Sequence, residues 1–221
     1  MEHRLAIRAI TPLAHNVYQY DLEKPEGFDF EPGQATEVAI AKEGWEKEKR
    51  PFTFTSLPGW ERLQFTIKSY PDHDGVTEQL AHLLVGDELI IEEPWGTIQY
   101  KGKGTFIAGG AGMTPFIAIL RDLERKGDLP GHRLFFANRS ERDIFCANEL
   151  DSMAGLDVVH ILSDEHKAPY EHGRIDKDFL RDRIDDFDQK FYVCGPPEMV
   201  DDINDALKEL GADADGLVFE E

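Results

Sequence analysis

The spacing of hydrophobic residues along the chain changes near residue 102, and this change constrains the fold more than any single motif. Before it, short runs of alternating and β-branched residues are separated by turn pairs such as Pro58-Gly59 and Gly86-Asp87. Several short strands at this spacing predict a closed antiparallel barrel. We expect one helix among them, from Thr77, a candidate N-cap, to Leu84. The predicted strands cover residues 5–10, 17–22, 36–40, 52–55, 63–68 and 88–92.

After this change, apolar strands alternate with helical segments, which predicts a parallel, doubly wound sheet. The predicted strands cover residues 105–108, 133–137, 157–162, 190–194 and 217–219, and the predicted helices cover residues 115–126, 147–154, 176–184 and 197–210. The sequence therefore predicts a β + α/β protein. An N-terminal antiparallel β-barrel domain over residues 1–101 precedes a C-terminal doubly wound parallel α/β domain over residues 102–221.

Acidic residues outnumber basic ones by 44 to 24, which gives the 221-residue chain a formal net charge of −20. A surface this acidic repels phosphate backbones, so nucleic acids and anionic membranes are poor partners. No stretch approaches the roughly 18 apolar residues of a membrane-spanning helix, and the first residues do not resemble a signal peptide. We therefore expect a soluble, cytoplasmic protein with no membrane span.

The two cysteines, Cys146 and Cys194, exclude a disulfide framework and a four-cysteine iron–sulfur or zinc site within the chain. Three histidines, His160, His166 and His172, recur at a spacing of six residues. That spacing suits neither one face of a helix nor a common zinc pattern. We expect no metal site.

A glycine-rich segment, Gly109–Pro115, connects a predicted strand to a predicted helix. Such a turn exposes backbone N–H groups at a helix N-terminus, where an anionic ligand is favoured. Thr114 can act as the N-cap, and Pro115 suits the first helical position. The segment lacks the Lys-Ser/Thr ending of a Walker A loop and the Gly-x-Gly-x-x-Gly spacing. A tight turn that merely starts a helix is the alternative interpretation.

A second segment, Arg50-Pro51-Phe52-Thr53, alternates a basic residue, an aromatic residue and a hydroxyl along a predicted strand. The period of two puts Arg50 and Phe52 on one face and Thr53 on the other. An edge strand with an exposed arginine is the alternative interpretation.

A third segment, Phe191–Met199, is an apolar strand that ends in Cys194-Gly195-Pro196-Pro197 and leads into a helix. The carboxyl ends of strands form the ligand crevice of open α/β sheets, so Cys194 is expected at that crevice. A buried, small apolar cysteine is the alternative interpretation.

Taken together and in this order, these segments resemble the ferredoxin–NADP reductase superfamily over essentially the whole chain. The segment at Arg50 is similar to its Arg-x-Tyr/Phe-Ser/Thr flavin motif, and Asp74-Gly75-Val76-Thr77 resembles its Gly-x-x-Ser/Thr flavin-pyrophosphate turn. Gly109–Pro115 resembles its nicotinamide loop, and Cys194–Pro197 its Cys-Gly-x-x segment. The resemblance implies FAD and NAD(P)H as cofactors, with the flavin on the barrel and NAD(P) on the α/β domain.

The resemblance also implies a role for each matching residue. Arg50 would pair with the flavin pyrophosphate, Phe52 would stack on the isoalloxazine ring, and Thr53 would bond near flavin N5. Thr114 would lie between flavin and nicotinamide, and Cys194 would face nicotinamide C4, so that Thr53 and Cys194 are the candidate catalytic residues. The other candidate cofactor-binding residues are Pro51, Thr66, Lys68, Tyr70, Gly75, Val76, Thr77, Gly110, Gly112, Pro115, Gly195, Pro196 and Phe219.

The sequence departs from the family pattern in three places. Gly75 stands one position late in the pyrophosphate turn. Phe219 is followed by Glu220 and Glu221, so it only approximates the terminal aromatic residue that covers the flavin in plant-type members. The chain also has no fused cysteine-rich iron–sulfur module, which implies an external electron acceptor.

The choice between NADH and NADPH stays open. Arg139, Ser140 and Arg142 follow the second strand of the predicted parallel sheet, where the adenosine ribose is bound, and they suit a 2′-phosphate. The same segment also resembles NADH-using cytochrome b5 reductases. A solvated turn is the third interpretation, because Glu141 and Asp143 balance the arginines.

The resemblance implies a flavin-dependent NAD(P)H reductase that passes hydride to bound FAD and then electrons to an external carrier such as ferredoxin or flavodoxin. Three alternatives stay open: a free-flavin reductase, an electron-transfer subunit of a larger redox complex, and a dinucleotide sensor without turnover. Because ferredoxins and flavodoxins are usually acidic, docking calls for a local basic patch. Lys42, Lys47, Lys49 and Arg62 are candidates for that patch, or are solvated loop residues.

Overall fold

A computed structural model describes residues 2–70, 75–96 and 98–219. The predicted flavin-turn residue Asp74 and the side chain of Phe219 lie outside the described parts of the chain. Within these ranges, none of the helices is long and apolar enough to cross a bilayer.

The N-terminal strands form a six-stranded antiparallel sheet in the order β4-β3-β6-β1-β2-β5. These strands are β1 (His3–Ala14), β2 (Val17–Glu23), β3 (Ala35–Ile40), β4 (Arg50–Thr53), β5 (Arg62–Lys68) and β6 (Glu88–Ile91). The two edges of the sheet meet, because Phe54 bridges Phe65 and the Thr55 N–H donates to the Gln64 carbonyl at 2.8 Å. The predicted closed barrel is confirmed.

Alternation along these strands builds the barrel core. Leu5 and Ile7 point inward on β1, as do Tyr20 and Leu22 on β2, and each is at most 6% exposed. Each such fully buried large side chain contributes roughly 1.5–3 kcal/mol relative to exposure. The barrel interior is therefore apolar, and the chemistry-bearing residues lie on its outer wall.

Helix α1 (Val76–Ala81) covers one end of the barrel. Val76 and Leu80 are buried, and Leu80 accepts a hydrogen bond at its carbonyl from the Tyr20 hydroxyl at 2.9 Å. The predicted Thr77 cap is wrong, because the helix starts at Val76 with Gly75 as N-cap and without a side-chain cap. The helix also ends at Ala81, before the predicted Leu84. Leu84 is 72% exposed and so does not extend the apolar side of the helix.

The C-terminal strands form a second six-stranded sheet, parallel throughout, in the order β10-β9-β8-β7-β11-β12. Its strands are β7 (Gly104–Gly109), β8 (His132–Asn138), β9 (Leu156–Leu162), β10 (Glu171–His172), β11 (Lys190–Cys194) and β12 (Leu217–Phe219). Its helices are α2 (Thr114–Lys126), α3 (Ala147–Ser152), α4 (Lys177–Arg183) and α5 (Pro197–Glu209). One apolar cluster unites α2 and α3 with the sheet and another unites α4 and α5 with it, which confirms the doubly wound prediction.

The strand order reverses at β7 and β11, which lie side by side with Cys194 paired to Ala108. Ligands of open α/β sheets bind at such a switch point, outside the carboxyl ends of the strands. Sequence patterns missed β10, which has only two residues, and placed the end of α3 two residues too late.

The barrel packs against the α2 side of the parallel sheet. Val17 of β2 is fully buried and belongs to the same apolar cluster as Phe116 and Leu120 of α2. At Gly33 (φ +96°), an added Cβ would lie 2.2 Å from the Ile98 carbonyl oxygen, so the close approach of the chain requires glycine there. This packing holds the barrel wall and the switch point opposite each other.

Candidate functional site

A cleft of about 1740 Å³ lies between the barrel wall and the carboxyl edge of the parallel sheet. Small-ligand pockets usually measure about 300–1,000 Å³, so this cleft has room for two large ligands or one extended ligand. Sixteen of the predicted site residues line it: Pro51, Phe52, Thr53, Thr66, Lys68, Tyr70, Thr77, Gly110, Gly112, Thr114, Arg139, Ser140, Arg142, Cys194, Gly195 and Pro196. The structure thus brings the two predicted cofactor segments to one cavity.

Four predicted residues do not line the cleft. Gly75 caps α1, Val76 is buried against the barrel core, and Pro115 is buried in the first turn of α2. Arg50 is about half exposed, and its Nη1 donates to the Lys49 carbonyl at 2.7 Å. Arg50 therefore lies beside the cleft-lining residues without joining them.

Strands β4 and β5 supply the barrel wall of the cleft. Thr53 and Thr66 are 8% and 4% exposed, and both line the cleft. Phe52 is half-buried, packs on the barrel core and also lines the cleft. The wall consequently presents an aromatic ring and two hydroxyl side chains, flanked by the exposed rings of Tyr70 and Trp95.

The glycine-rich loop forms the facing wall. After β7 the chain makes a 3₁₀ turn, Gly110–Met113, before α2 begins at Thr114. The predicted N-cap role of Thr114 is wrong, because its hydroxyl donates to the Ala111 carbonyl at 3.0 Å instead. Pro115 is accordingly the second residue of the helix rather than the first.

Cys194 sits where the loop meets the end of β11. It is 7% exposed and lines the cleft, so it is both a buried residue and a wall residue. At Gly112 an added Cβ would lie 2.2 Å from the Cys194 carbonyl oxygen, and Gly195 similarly approaches Gly109. These close backbone approaches place the glycine-rich loop directly against the end of β11 at the switch point.

Asp143 joins the two walls and was not predicted as a site residue. Its Oδ2 accepts bonds from the Ser140 hydroxyl at 2.7 Å and the Ser140 N–H at 3.1 Å. Its Oδ1 lies 3.5 Å from Lys68 Nζ and 3.8 Å from His15 Nδ1. Burial opposes its ionisation, but the Ser140 bonds and the Lys68 charge outweigh burial and keep the pKa of Asp143 below its ordinary value.

Three exposed arginines line the cleft beyond the carboxyl ends of the parallel strands: Arg139, Arg142 and Arg174. Among the described residues, none of the three pairs with a carboxylate, although the chain as a whole is strongly acidic. Unpaired guanidinium groups at the carboxyl edge of a sheet suit an anionic ligand. Arg174 was missed; its position just after Gly173 and a short strand was the signal that could have found it.

Near these arginines, carboxylate groups accept hydrogen bonds from the backbone N–H groups of Ser140 and Glu141. The Glu141 N–H donates to Glu165 Oε2 at 2.9 Å, and the Glu141 carboxylate itself bonds to Lys167. Ser140 is held by Asp143, as described above. A phosphate at this turn would therefore face two carboxylates, whereas a ribose hydroxyl could donate to them.

The side chains of the three histidines at spacing six do not meet at one site. His160 is buried and lies 2.9 Å from an Asp151 carboxylate oxygen, while His166 and His172 stack on each other at 3.4 Å. In the part of the chain that the structure describes, no group of three or more His, Cys, Asp or Glu side chains is arranged to hold a metal ion.

The candidate basic patch is largely neutralised. Lys42 pairs with Asp87 at 2.7 Å, Lys49 with Glu2 at 2.7 Å and also with Glu92, and Arg62 lies 3.4 Å from Asp21. Of the four candidates, Lys47 alone has no carboxylate partner within the described ranges, so little local positive charge is left to attract an acidic partner.

Comparison with known proteins gives a consistent family assignment. A family described as an oxidoreductase NAD-binding domain matches residues 106–205. NADH-cytochrome b5 reductase 1 of Ajellomyces capsulatus is 31% identical over 233 residues, which cover 94% of this chain and 74% of that protein. The reductase component of propane 2-monooxygenase from Rhodococcus jostii is 26% identical over 240 residues, covering 98% of this chain and 62% of that protein.

The fold is similar to solved structures of the same kind. A ferredoxin NADP⁺ reductase from Neisseria gonorrhoeae with bound FAD and NADP superposes with a TM-score of 0.88 at 16% identity, covering 99% of this chain and 98% of that one. The chain spans 61–62% of the length of the propane 2-monooxygenase reductase components that it matches.

Proposed function

The chain belongs to the ferredoxin–NADP reductase superfamily, and we propose that it is a flavin-dependent NAD(P)H oxidoreductase. One observation carries the proposal: Thr53 and Phe52 of the barrel and Cys194 of the parallel sheet line the same cleft. A reductase of this kind needs two ring systems held face to face, and a cleft with one wall from each sheet provides that arrangement.

The residues of the barrel wall fit FAD. A flat, largely apolar ring system suits the half-buried Phe52 ring and the exposed rings of Tyr70 and Trp95. Thr53 and Thr66 offer hydroxyl groups beside them, and Lys68 offers a cation. We propose that the flavin binds to residues 1–101.

The facing wall fits a nicotinamide dinucleotide. Gly110 and Gly112 keep side chains out of the loop at the switch point, and Arg139, Arg142 and Arg174 provide cations for the phosphates. We propose that residues 102–221 bind the nucleotide. The adenosine end would lie toward the arginines and the nicotinamide toward Cys194.

When bound, the flavin accepts a hydride from the nicotinamide and releases electrons onward, which is chemistry that the cofactor supplies. The chain positions the reactants. Thr53, at the end of β4, would hydrogen-bond the flavin ring. Cys194 would limit how far the nicotinamide ring enters the cleft. Both side chains are largely buried, so they would limit the access of water to bound rings at this point.

We propose a separate electron carrier, such as ferredoxin or flavodoxin, as the acceptor. Relatives named as the reductase component of propane 2-monooxygenase and the electron transfer component of 2-halobenzoate 1,2-dioxygenase support this. Cys146 and Cys194 form no disulfide, which suits a reducing compartment, so a cytoplasmic location stays our proposal.

A second candidate, an NAD(P)H:free-flavin reductase, is favoured by the placement of Arg50. The arginine expected to hold the flavin pyrophosphate bonds to the Lys49 carbonyl and does not line the cleft. A weakly held flavin would act as a substrate and leave after reduction.

Flavin content and turnover separate the candidates. We expect the purified protein to stay yellow through gel filtration, to be bleached by NADH or NADPH without oxygen, and to reduce ferricyanide with multiple turnovers. A colourless protein that reduces added flavin would favour the second candidate. A yellow protein that NAD(P)H does not reduce would refute the proposed function.

A further inference from the structure

Arg121 is a nearly buried cation between the barrel and the parallel sheet. It lies two turns along α2 from Thr114, on the helix that starts at the glycine-rich loop, and its side chain is 11% exposed. A guanidinium cannot lose its charge in proteins, so burial is tolerated only with charged and polar partners on several sides.

Four hydrogen bonds engage all three nitrogens of the guanidinium group. Nε and Nη2 form a bidentate pair with the Glu149 carboxylate of α3, at 2.5 and 2.8 Å. Nη1 donates to the Thr55 carbonyl at 2.5 Å and to Gln64 Oε1 at 2.7 Å. The ring of Trp60 lies 5.2 Å from the guanidinium carbon. Glu149 thus belongs to the sheet side, whereas the other three partners belong to the barrel.

The barrel partners are adjacent to the flavin wall. Thr55 lies two residues beyond Thr53, where β4 ends, and Gln64 precedes Thr66 by two residues on β5, so each partner is two residues from a cleft-lining threonine. The Thr55 hydroxyl bonds to Gln64 Oε1 at 3.2 Å and contacts the Thr66 hydroxyl at 3.3 Å. Arg121 therefore bonds to the same network that carries the flavin wall.

The helix carries the other wall. From Thr114 to Arg121 an α-helix rises about 10 Å as one rigid rod. A bond network that fixes Arg121 to Thr55 and Gln64 fixes the start of α2, and with it the glycine-rich loop, relative to the flavin wall. A lysine ammonium is only a point charge. It does not reproduce the planar guanidinium, which bonds two Glu149 oxygens on one side and the Thr55 and Gln64 oxygens on the other.

We propose that Arg121 is a positioning residue for hydride transfer, which sets the distance between the flavin wall and the nicotinamide wall without touching either ligand. The proposal rests on the proposed function. A misplacement of about 1 Å can slow a transfer step on the order of a hundredfold. The expected signature is a slower reductive step with little change in nucleotide KM or flavin retention.

The test compares Arg121→Gln and Arg121→Lys with Arg125→Gln. Arg125 is 63% exposed and, within the described ranges, its one carboxylate partner is Asp122 on the same helix, so it is the matched control. Anaerobic rapid mixing with NADH should give a reductive rate about 10- to 100-fold lower for Arg121→Gln, incomplete rescue by Arg121→Lys, and a native rate for Arg125→Gln. In protein without added nucleotide, amide hydrogen exchange at residues 109–114 should rise in Arg121→Gln alone.

Native reduction rates in a folded Arg121→Gln variant would overturn the proposal, even if its Tm falls. If that variant does not fold, Gln64→Leu decides: it removes one barrel acceptor and should slow reduction at unchanged KM, and a native rate would overturn the proposal. The wild-type protein serves as a separate control. Failure of the wild-type flavin to be reduced refutes the proposed function rather than the role of Arg121.

Discussion

Lys68 on the barrel reaches Asp143 on the parallel sheet, with Nζ 3.5 Å from Oδ1. The two side chains are 17% and 11% exposed. A largely buried pair of this kind is stable only with further hydrogen bonds, and Ser140 supplies them from its hydroxyl and N–H groups. Both residues line the cleft, so the contact ties the candidate flavin cation Lys68 to the turn that follows β8.

The Asp143 carboxyl should make stability depend on pH. Its pKa is lower in the folded protein than in the unfolded chain, so its contribution is present above the ordinary carboxyl pKa and is lost as pH falls through the folded value. Asp143→Asn should cost about 1–3 kcal/mol near neutral pH. The difference from wild type should shrink as pH is lowered to about 3.

Urea unfolding of both proteins across that pH range measures the effect. Asp178→Asn is the control, because Asp178 is exposed and, in the part of the chain that the structure describes, pairs with Arg181 alone, one turn away. An equal loss of stability in Asp143→Asn at every pH would show that shape, not charge, is responsible.

Arg50→Ala tests the assignment of the flavin pyrophosphate. If Arg50 turns from the Lys49 carbonyl to the pyrophosphate on binding, the substitution removes a charge-assisted bond worth about 1.5–3 kcal/mol. That corresponds to roughly 10- to 150-fold weaker FAD retention, measured by equilibrium dialysis. Arg4→Ala, which removes an exposed pair with Glu46, should leave retention unchanged. Unchanged retention in Arg50→Ala would contradict the assignment.

The turn after β8 predicts a preference for NADH. Its Ser140 and Glu141 donors are occupied by Asp143 and Glu165, which would repel a 2′-phosphate. We therefore expect a higher kcat/KM for NADH than for NADPH and a gain in NADPH use in Glu165→Gln. Glu209→Gln, at an exposed pair with Lys177, serves as the control and should leave the ratio unchanged.

Arg142 tests whether the exposed arginines bind the 2′-phosphate, which only NADPH carries, or the pyrophosphate that both nucleotides share. It is exposed at the cleft and, among the described residues, pairs with no carboxylate, so it is available to a 2′-phosphate. Arg142→Ala should raise the KM for NADPH and leave that for NADH nearly unchanged in steady-state assays. Equal effects on both nucleotides would instead place Arg142 at the shared pyrophosphate.

The two cysteines should behave differently. Cys194→Ala should slow flavin reduction in rapid mixing while FAD stays bound. The reason is that the small thiol at the switch point would limit how far the nicotinamide ring enters the cleft. Cys146→Ala should be kinetically silent. Burial, with a smaller effect of Glu149, raises the pKa of Cys146 to about 12, so iodoacetamide at neutral pH should not label it. Native rates in both variants would make Cys194 a packing residue only.

Local patterns were enough to predict the barrel and the doubly wound sheet, and together with the family resemblance they identified sixteen of the residues that line the cleft. Hydrophobic periodicity fixes which face of a strand is buried, and glycine-rich turns mark strand ends. Helix caps were less predictable: Thr77 and Thr114 are plausible caps by type, but Gly75 and the 3₁₀ turn at Gly110–Met113 set where the helices begin.

Contacts between distant segments could not be predicted. Arg121 and Thr55 are 66 residues apart, and nothing in the pattern of α2 distinguishes Arg121 from Arg125. Asp143 looked like a residue that balances nearby arginines, because its bond to Lys68 exists only after the barrel docks on the sheet. Such pairs depend on tertiary packing, which periodicity does not encode.

The most direct test is an anaerobic absorbance titration of the purified, desalted protein with NADH and NADPH in separate cuvettes. The proposed function predicts about one bound flavin per chain, bleaching of the oxidised flavin bands by NADH at lower concentration than by NADPH, and recovery of the bands on adding ferricyanide. A protein whose cleft binds no added FAD, or whose bound flavin stays oxidised in excess of both nucleotides, would contradict the account.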